Sequence, residues 1–192
     1  MRIGLTGGIA CGKSTAAQIF LNQGCVTLHT DQIAHQILEE EKTKDALRAR
    51  WGNAVFTPQG SPDRAAIGSI VFNRPEEKVW LENILHPIVH QRWKEASLAA
   101  AGKTVVVEIP LLFEKNLETN FDLIVCVHCS HTTQLARMAK RGLDIDQAET
   151  RLRNQWPLDE KMRRAGFCLF NEGDPSFLER QILFFLSRLK TN

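Results

Sequence analysis

Eight residues near the start of the chain have the types and the spacing to hold a phosphate group. They run from Gly7 to Ser14 and fit the pattern Gly-x-x-x-x-Gly-Lys-Ser. Glycines let the backbone curl until successive N–H groups point at one anion. Lys13 supplies a positive charge for the outer phosphates, and the Ser14 hydroxyl is an oxygen ligand that suits Mg²⁺. The pattern predicts a nucleoside triphosphate site at Ala10, Cys11, Gly12, Lys13, Ser14 and Thr15, with Ser14 at the metal.

The elements on either side of this phosphate loop support the same interpretation. Apolar residues 3–5 predict a strand that leads into the loop, and residues 14–20 predict a helix that leaves it. Such a helix directs its positive dipole end at the bound anion. A glycine-rich turn that binds nothing is the alternative, and it leaves the Lys-Ser pair after a strand unexplained.

Asp31 is a second residue whose position suggests chemistry. Residues 25–29 predict a short strand and residues 31–38 a helix, so Asp31 lies just past the carboxyl end of a strand. Ligands of open α/β sheets bind at that edge. An Asp there also suits a helix N-cap, and the two roles are compatible.

The remaining elements predict an α/β protein with a three-layer parallel sheet. Residues 104–109 and 122–127 are β-branched, apolar runs of the kind found in strands buried on both faces. Residues 167–170 predict a last strand, followed by a helix with a core-facing apolar stripe. Residues 39–102 are rich in helix and lie between two strands, which predicts an inserted, substrate-side subdomain. Within it, Pro87 is expected to kink or divide a helix near His86.

Residues 132–165 are helical and basic, which predicts a lid that closes over the triphosphate. Arg137 and Arg141 are four residues apart and are therefore expected on one helix face. Glu108, Glu114 and Asp122 are alternative acids that could support a metal ion near the loop, and the sequence does not choose among them.

Composition limits the class of protein. The chain has 192 residues, a net charge of +2 and five cysteines. We expect a single domain in the cytoplasm with reduced thiols, no signal peptide, no membrane-spanning segment and no general affinity for nucleic acid. Cys126 and Cys129, with His128 between them, have the spacing of a metal knuckle, but no second Cys-x-x-Cys pair accompanies them. Buried thiols are the expected alternative.

Among proteins with a phosphate loop, a small-molecule kinase fits best. Switch GTPases generally carry Asn-Lys-x-Asp and Asp-x-x-Gly segments, and the sequence contains neither. A kinase needs a group that orients or deprotonates the attacking hydroxyl, and Asp31 is the candidate for that task. A nucleoside or nucleotide kinase, an ATPase without a small-molecule acceptor, and a nucleic-acid-directed enzyme remain the alternatives.

The sequence resembles the dephospho-coenzyme A kinase family along nearly its whole length. The segments that carry the resemblance, in chain order, are residues 4–15, 31–35, 63–64, 71–72, 75–77, 85–87, 110–114, 155–161 and 171–173. The resemblance implies transfer of the ATP γ-phosphoryl group, with Mg²⁺, to the ribose 3′-hydroxyl of dephospho-coenzyme A. We separately expect a monomer or weak homo-oligomer.

The resemblance further implies roles for individual residues. Asp31 would be the catalytic carboxylate and would act together with Lys13. Arg64 and His86 would line the acceptor pocket. Arg137 and Arg141 would belong to the nucleotide-side lid. Three positions depart from the family pattern. His29 stands where the family often has an acid, Cys11 where Ser is common, and Gly166 where Asp is frequent. We expect the Cys11 thiol, next to bound phosphate, to be sensitive to oxidation.

Overall fold

The computed structural model describes residues 1–189, and its centre is one parallel sheet. The strands are β1 (Arg2–Gly7), β2 (Val26–His29), β3 (Val105–Glu108), β4 (Leu123–His128) and β5 (Phe167–Phe170). Their order in the sheet is β2-β3-β1-β4-β5, and every neighbouring pair is parallel. The predicted α/β class with a parallel sheet is confirmed.

Nine α-helices connect the described strands or follow them, together with two short 3₁₀ turns at Gly52–Val55 and Glu118–Asn120. The helices are α1 (Lys13–Asn22), α2 (Thr30–Leu38), α3 (Glu41–Trp51), α4 (Arg64–Asn73), α5 (Pro75–Ala99), α6 (His131–Ala139), α7 (Ile145–Arg153), α8 (Leu158–Arg164) and α9 (Pro175–Leu189).

One face of the sheet forms the main apolar core with α1 and α9. Alternate residues of β1, Ile3 and Leu5, are fully buried there, because successive side chains of a strand point to opposite faces. Helix α9 contributes the predicted stripe of Leu178, Ile182 and Phe185, all of them buried. This packing fixes α1, and with it the phosphate loop, against the sheet.

The strand register decides which residues meet at the carboxyl edge of the sheet. Leu5 of β1 pairs with Glu108 of β3, and Glu108 pairs on its other side with His29 of β2. The chain enters the phosphate loop directly after β1. Glu108 and His29 are therefore brought to the base of the loop although they lie far from it in sequence.

The chain divides into two compact units. The first contains residues 1–29 and the described residues from 100 onward, and the second contains Thr30–Ala99. Helix α2, which carries Asp31, belongs to the second unit, whereas the predicted insertion began at residue 39. Of the two expectations at Pro87, a kink or a division, the division is wrong, because α5 continues from Pro75 to Ala99 through that proline. Leu85, Val89 and Trp93 are buried on both sides of it, and their packing outweighs the missing backbone hydrogen bond.

A buried carboxylate joins α3 to α5 within the second unit. Arg50 donates two hydrogen bonds of 3.0 Å to the two oxygens of Glu77, and the indole of Trp51 donates a third, 2.8 Å long. The bond from Arg50, followed by that from Trp51, lowers the pKa of Glu77. In residues 1–189 we find no helix whose length and apolar character would let it cross a membrane.

Candidate active site

The phosphate loop turns sharply where β1 ends. Gly7 has a φ of 144°, and a Cβ atom there would lie 2.2 Å from the carbonyl oxygen of Val127. No larger residue fits, because the loop leaves the sheet in contact with the neighbouring strand. Ala10 has a φ of 58°, which is unusual for a residue other than glycine and agrees with a tightly curled loop.

Lys13 folds back over the loop that precedes it. Its side chain is largely buried, and its Nζ atom donates to the carbonyl oxygens of Gly8 (2.9 Å) and Gly7 (3.3 Å). These bonds hold the ammonium group at the mouth of the loop. The charge is thus fixed beside the position where the loop pattern predicts phosphate.

Ser14 contacts one of the three acids that the sequence left open. Its hydroxyl donates to Glu108 Oε1 (3.1 Å), and His29 Nδ1 lies 2.6 Å from the other oxygen of Glu108. Glu108 is only 9% exposed. A hydroxyl and a carboxylate side by side are hard oxygen donors of the kind that Mg²⁺ binds.

The other two acids are occupied elsewhere in the first unit. Glu114 lies 2.7 Å from the ammonium group of Lys161. Asp122 accepts a 2.6 Å bond from the backbone N–H of Arg2, at the opposite end of β1 from the loop. Of the three acids, Glu108 is the one that lies beside Ser14 and could hold a metal ion there. Among the residues described, no cluster of three or more His, Cys, Asp or Glu side chains could hold a metal alone. Phosphate oxygens would complete its coordination.

Three side chains from other elements reach carbonyl oxygens of the loop. Gln134 of α6 donates to Ile9 (2.7 Å), Arg137 of α6 to Ala10 (3.2 Å), and Asn171, just after β5, to Cys11 (2.8 Å). Arg137 also donates to the carbonyl oxygen of Asn171, at 2.9 Å. Sequence reasoning gave no role to Gln134 or Asn171. Asn171 lies in residues 171–173, one of the segments that resemble the family. Gln134 lies in none of those segments, and no sequence pattern indicated its contact with the loop.

Arg137 and Arg141 do not share a helix face as predicted. Helix α6 ends at Ala139, and Arg141 lies in the exposed turn that follows, with Gly142 at a φ of 82°. The turn ends the helix before the four-residue spacing can align the two side chains. Arg137 is the member of the pair that contacts the loop.

Two cysteines meet beneath the loop. The Cys129 thiol donates to Cys11 Sγ across 3.5 Å, and both residues are almost completely buried. The hydrogen bond from Cys129, with a smaller contribution from the Lys13 ammonium, lowers the pKa of the Cys11 thiol to about 7 against the effect of burial. The same pairing and burial raise the pKa of Cys129.

Part of the predicted lid, residues 132–165, borders a cavity next to the loop. The cavity measures about 280 Å³, and its lining includes Gly8, Cys129 and Gln134. Residues 155–159 also line it. Below them, the fully buried Lys161 donates to the carbonyl oxygen of Pro110 (3.0 Å), and Glu114 accepts from the backbone N–H of Trp156 (3.0 Å). The ion pair of Lys161 with Glu114 thus connects residues 155–161 to the segment that follows β3.

In the second unit, Arg64 lines a cavity of about 320 Å³. His35, Gln36, Leu38, Glu39 and Pro62 complete its lining, and Arg64 Nη1 lies 3.0 Å from His35 Nδ1. Asp31 is an exposed residue in the first turn of α2, two positions after the end of β2. His86 is exposed on α5 and does not line this cavity. Sequence reasoning quoted His35 in a motif but gave it no role.

The parallel sheet and the phosphate loop define the chain as a protein of the P-loop class, which includes both nucleotide hydrolases and kinases. The sequence profile of the dephospho-CoA kinase family matches residues 1–176. The chain is 38% identical to dephospho-CoA kinase of Geobacillus kaustophilus, over 98% of this chain and 96% of that one. It is 41% identical to dephospho-CoA kinase of a Synechococcus strain, over 94% and 89% of the two chains. It also superposes on a crystal structure from Thermus thermophilus with a TM-score of 0.85, at 34% identity, covering 98% and 97%. The chain belongs to the dephospho-CoA kinase family.

Proposed function

We propose that this chain transfers the γ-phosphoryl group of ATP to the ribose 3′-hydroxyl of dephospho-coenzyme A, which gives coenzyme A and ADP. Membership of the family supports the reaction. The observation that carries the nucleotide half is the Lys13 ammonium, held over the loop by the carbonyl oxygens of Gly7 and Gly8. The proposed ATP-binding residues are Ala10, Cys11, Gly12, Lys13, Ser14, Thr15, Arg137 and Arg141.

Lys13 stabilises the negative charge that spreads over the phosphoryl oxygens during transfer. Its buried ammonium is already in place before the nucleotide arrives, so little reorganisation is needed at the moment of reaction. Ser14 and Glu108 would hold Mg²⁺, which neutralises charge on the phosphate oxygens when it is bound. The pairing of His29 with Glu108 keeps that carboxylate turned toward the base of the loop.

Asp31 is the proposed catalytic carboxylate. It orients the 3′-hydroxyl and takes its proton while the hydroxyl oxygen bonds to the γ-phosphorus and the bond to the bridging oxygen of ADP breaks. Its exposed position at the start of α2 leaves the carboxylate accessible to a substrate. Arg64 and His86 are proposed to bind the acceptor, residues 39–102 to form its subdomain, and residues 132–165 to act as the lid. Arg64 already lines a cavity, together with His35.

We further propose Mg²⁺ as the metal, a cytoplasmic location, a monomer or weak homo-oligomer, and no nucleic-acid substrate. The small net charge of +2 supports the last point.

A coupled ADP-release assay tests the reaction. Mg·ATP is supplied with dephospho-coenzyme A, adenosine, AMP or no acceptor, and the product is analysed for the position of the new phosphate. We expect ADP release only with dephospho-coenzyme A, and a 3′-phosphate in the product. Release with adenosine or AMP would indicate a nucleoside or nucleotide kinase instead. Release that ignores the acceptor would indicate an ATPase.

A further inference from the structure

Gln134 and Asn171 are largely buried residues, with 4% and 9% of their surface exposed, and the carboxamide groups of both donate to the phosphate loop. Gln134 Nε2 donates to the Ile9 carbonyl (2.7 Å), and Asn171 Nδ2 donates to the Cys11 carbonyl (2.8 Å). Neither group belongs to the loop motif. They come from α6 and from the segment after β5, which the sheet places on different parts of the loop.

A peptide unit is planar and trans, so its C=O and the N–H of the next residue point in opposite directions. Fixing the Ile9 carbonyl therefore fixes the Ala10 N–H, and fixing the Cys11 carbonyl fixes the Gly12 N–H. Neither of these N–H groups has a hydrogen-bond partner within residues 1–189. Two donors are thus held in place with their hydrogens available, which is what an anion site of backbone amides requires.

The loop glycines leave room for the two carboxamides. A Cβ atom at Gly8 would lie 2.7 Å from Gln134 Nε2, and one at Gly12 would lie 2.0 Å from Asn171 Nδ2. Each amide thus stands within the space that a side chain on the loop would need. The two amides can therefore reach the loop only because positions 8 and 12 are glycines.

We propose that Gln134 and Asn171 are positioning residues that hold the loop in its phosphate-binding conformation before the nucleotide arrives. They act through the Ala10 and Gly12 N–H groups and do not touch the nucleotide. Without them, part of the free energy of phosphate binding is spent on ordering the loop, and the affinity for nucleotide falls. The inference rests on one part of the proposed function, the binding of a nucleotide at the phosphate loop. It does not depend on the identity of the acceptor.

The test compares two tether variants, Gln134→Met and Asn171→Leu, with Gln181→Met as a matched control. The tether variants remove the donors to the loop at nearly constant volume. The Gln181 side chain also bonds to backbone groups but does not contact the loop. Its Nε2 donates to the carbonyl oxygens of Phe170 (2.8 Å) and Phe177 (3.3 Å), and its Oε1 accepts from the Phe170 N–H (2.9 Å). Mg·ADP and AMP are titrated into each full-length protein by calorimetry. We expect each tether variant to bind ADP about five- to tenfold more weakly, the range for one lost hydrogen bond, with AMP affinity changed less than twofold. AMP lacks the outer phosphates for which the loop is built.

Kinetics separate positioning from a general loss of structure. In the kinase assay the KM for ATP should rise by a similar factor, while the KM for dephospho-coenzyme A and the melting temperature stay close to those of Gln181→Met. Unchanged ADP affinity in both tether variants would overturn the proposal, and so would an equal loss in Gln181→Met or an equal loss for AMP. If Asn171→Leu does not fold, Gln134→Met alone tests the proposal, because wild-type Gln134 bonds to a different carbonyl, that of Ile9. If the acceptor is wrong, the ADP titration is unaffected.

Discussion

Replacing Lys161 with methionine should destabilise the protein far more than the loss of an ordinary lysine. Its side chain is fully buried in the first unit, and its ammonium group lies 2.7 Å from Glu114 Oε1 and 3.0 Å from the carbonyl oxygen of Pro110. The second oxygen of Glu114 is buried and has no hydrogen-bond partner in the described part of the chain. Without Lys161, the carboxylate would remain buried and uncompensated.

Breaking a buried ion pair by removing one partner typically costs about 3–5 kcal/mol. For a chain of this length, each kcal/mol lowers the melting temperature by roughly 2–4 °C, so Lys161→Met should melt about 6–20 °C below the wild type. The double variant Lys161→Met/Glu114→Gln removes the stranded charge and keeps an oxygen acceptor for the N–H of Trp156. It should therefore recover most of the loss.

The assay is urea unfolding followed by far-ultraviolet circular dichroism, supported by thermal melts. Lys44→Met is the matched control, because Lys44 pairs with the exposed Glu41 at 3.1 Å, and such pairs contribute at most about 1 kcal/mol. A loss below about 1 kcal/mol in Lys161→Met, or a double variant as unstable as the single one, would refute the reasoning.

Three further predictions concern the reaction. Lys13→Ala should lower kcat by about 10²–10³-fold, the cost of one preorganised electrostatic contact, and near-normal turnover would contradict its role. Asp31→Asn should retain ATP binding in calorimetry and lose most of the transfer activity; loss of both together would indicate a structural role in the first turn of α2 instead. Inactivation by hydrogen peroxide should be slow, because Cys11 is buried, and should accelerate between pH 6 and 8, because the pKa of Cys11 is lowered to about 7 and its thiolate is the reactive form. Cys11→Ser should abolish that inactivation, and a rate independent of pH would argue against the thiolate.

The sheet could be predicted from the sequence because each of its central strands is specified locally. Residues 105–107 and 123–127 are apolar and mostly β-branched, and the structure has strands at Val105–Glu108 and Leu123–His128, within one residue of the predicted bounds. The phosphate loop is likewise a contiguous motif, so its position needed no tertiary information. Helix ends were less predictable. Pro87 does not interrupt α5, and the turn after Ala139 removes Arg141 from α6, because packing and turn geometry override short-range spacing.

The partners of the loop could not be predicted, because they depend on which strands are neighbours. Glu108, Glu114 and Asp122 all lie in or next to apolar strand segments of the sequence. Spacing alone therefore does not show which of them supports a metal ion. The parallel register pairs Glu108 with Leu5, the residue two positions before the loop begins, and thus separates it from Glu114 and Asp122. Gln134 and Asn171 were missed for the same reason, since each reaches the loop from more than 100 residues away.

His29 gives this carboxyl edge of the sheet an unusual composition. The position often holds an acid in the family that the sequence resembles, yet here an imidazole nitrogen lies 2.6 Å from Glu108 Oε2. In the first unit, Glu108 is therefore the carboxylate that meets Ser14, and His29 occupies its second oxygen. One carboxylate and one hydroxyl are few ligands for a protein metal site, but they suffice for Mg²⁺ that arrives with a nucleotide. Such an ion keeps waters and phosphate oxygens in most of its coordination positions. The residues at this edge thus fit a metal that the protein shares with its substrate better than one that it holds permanently.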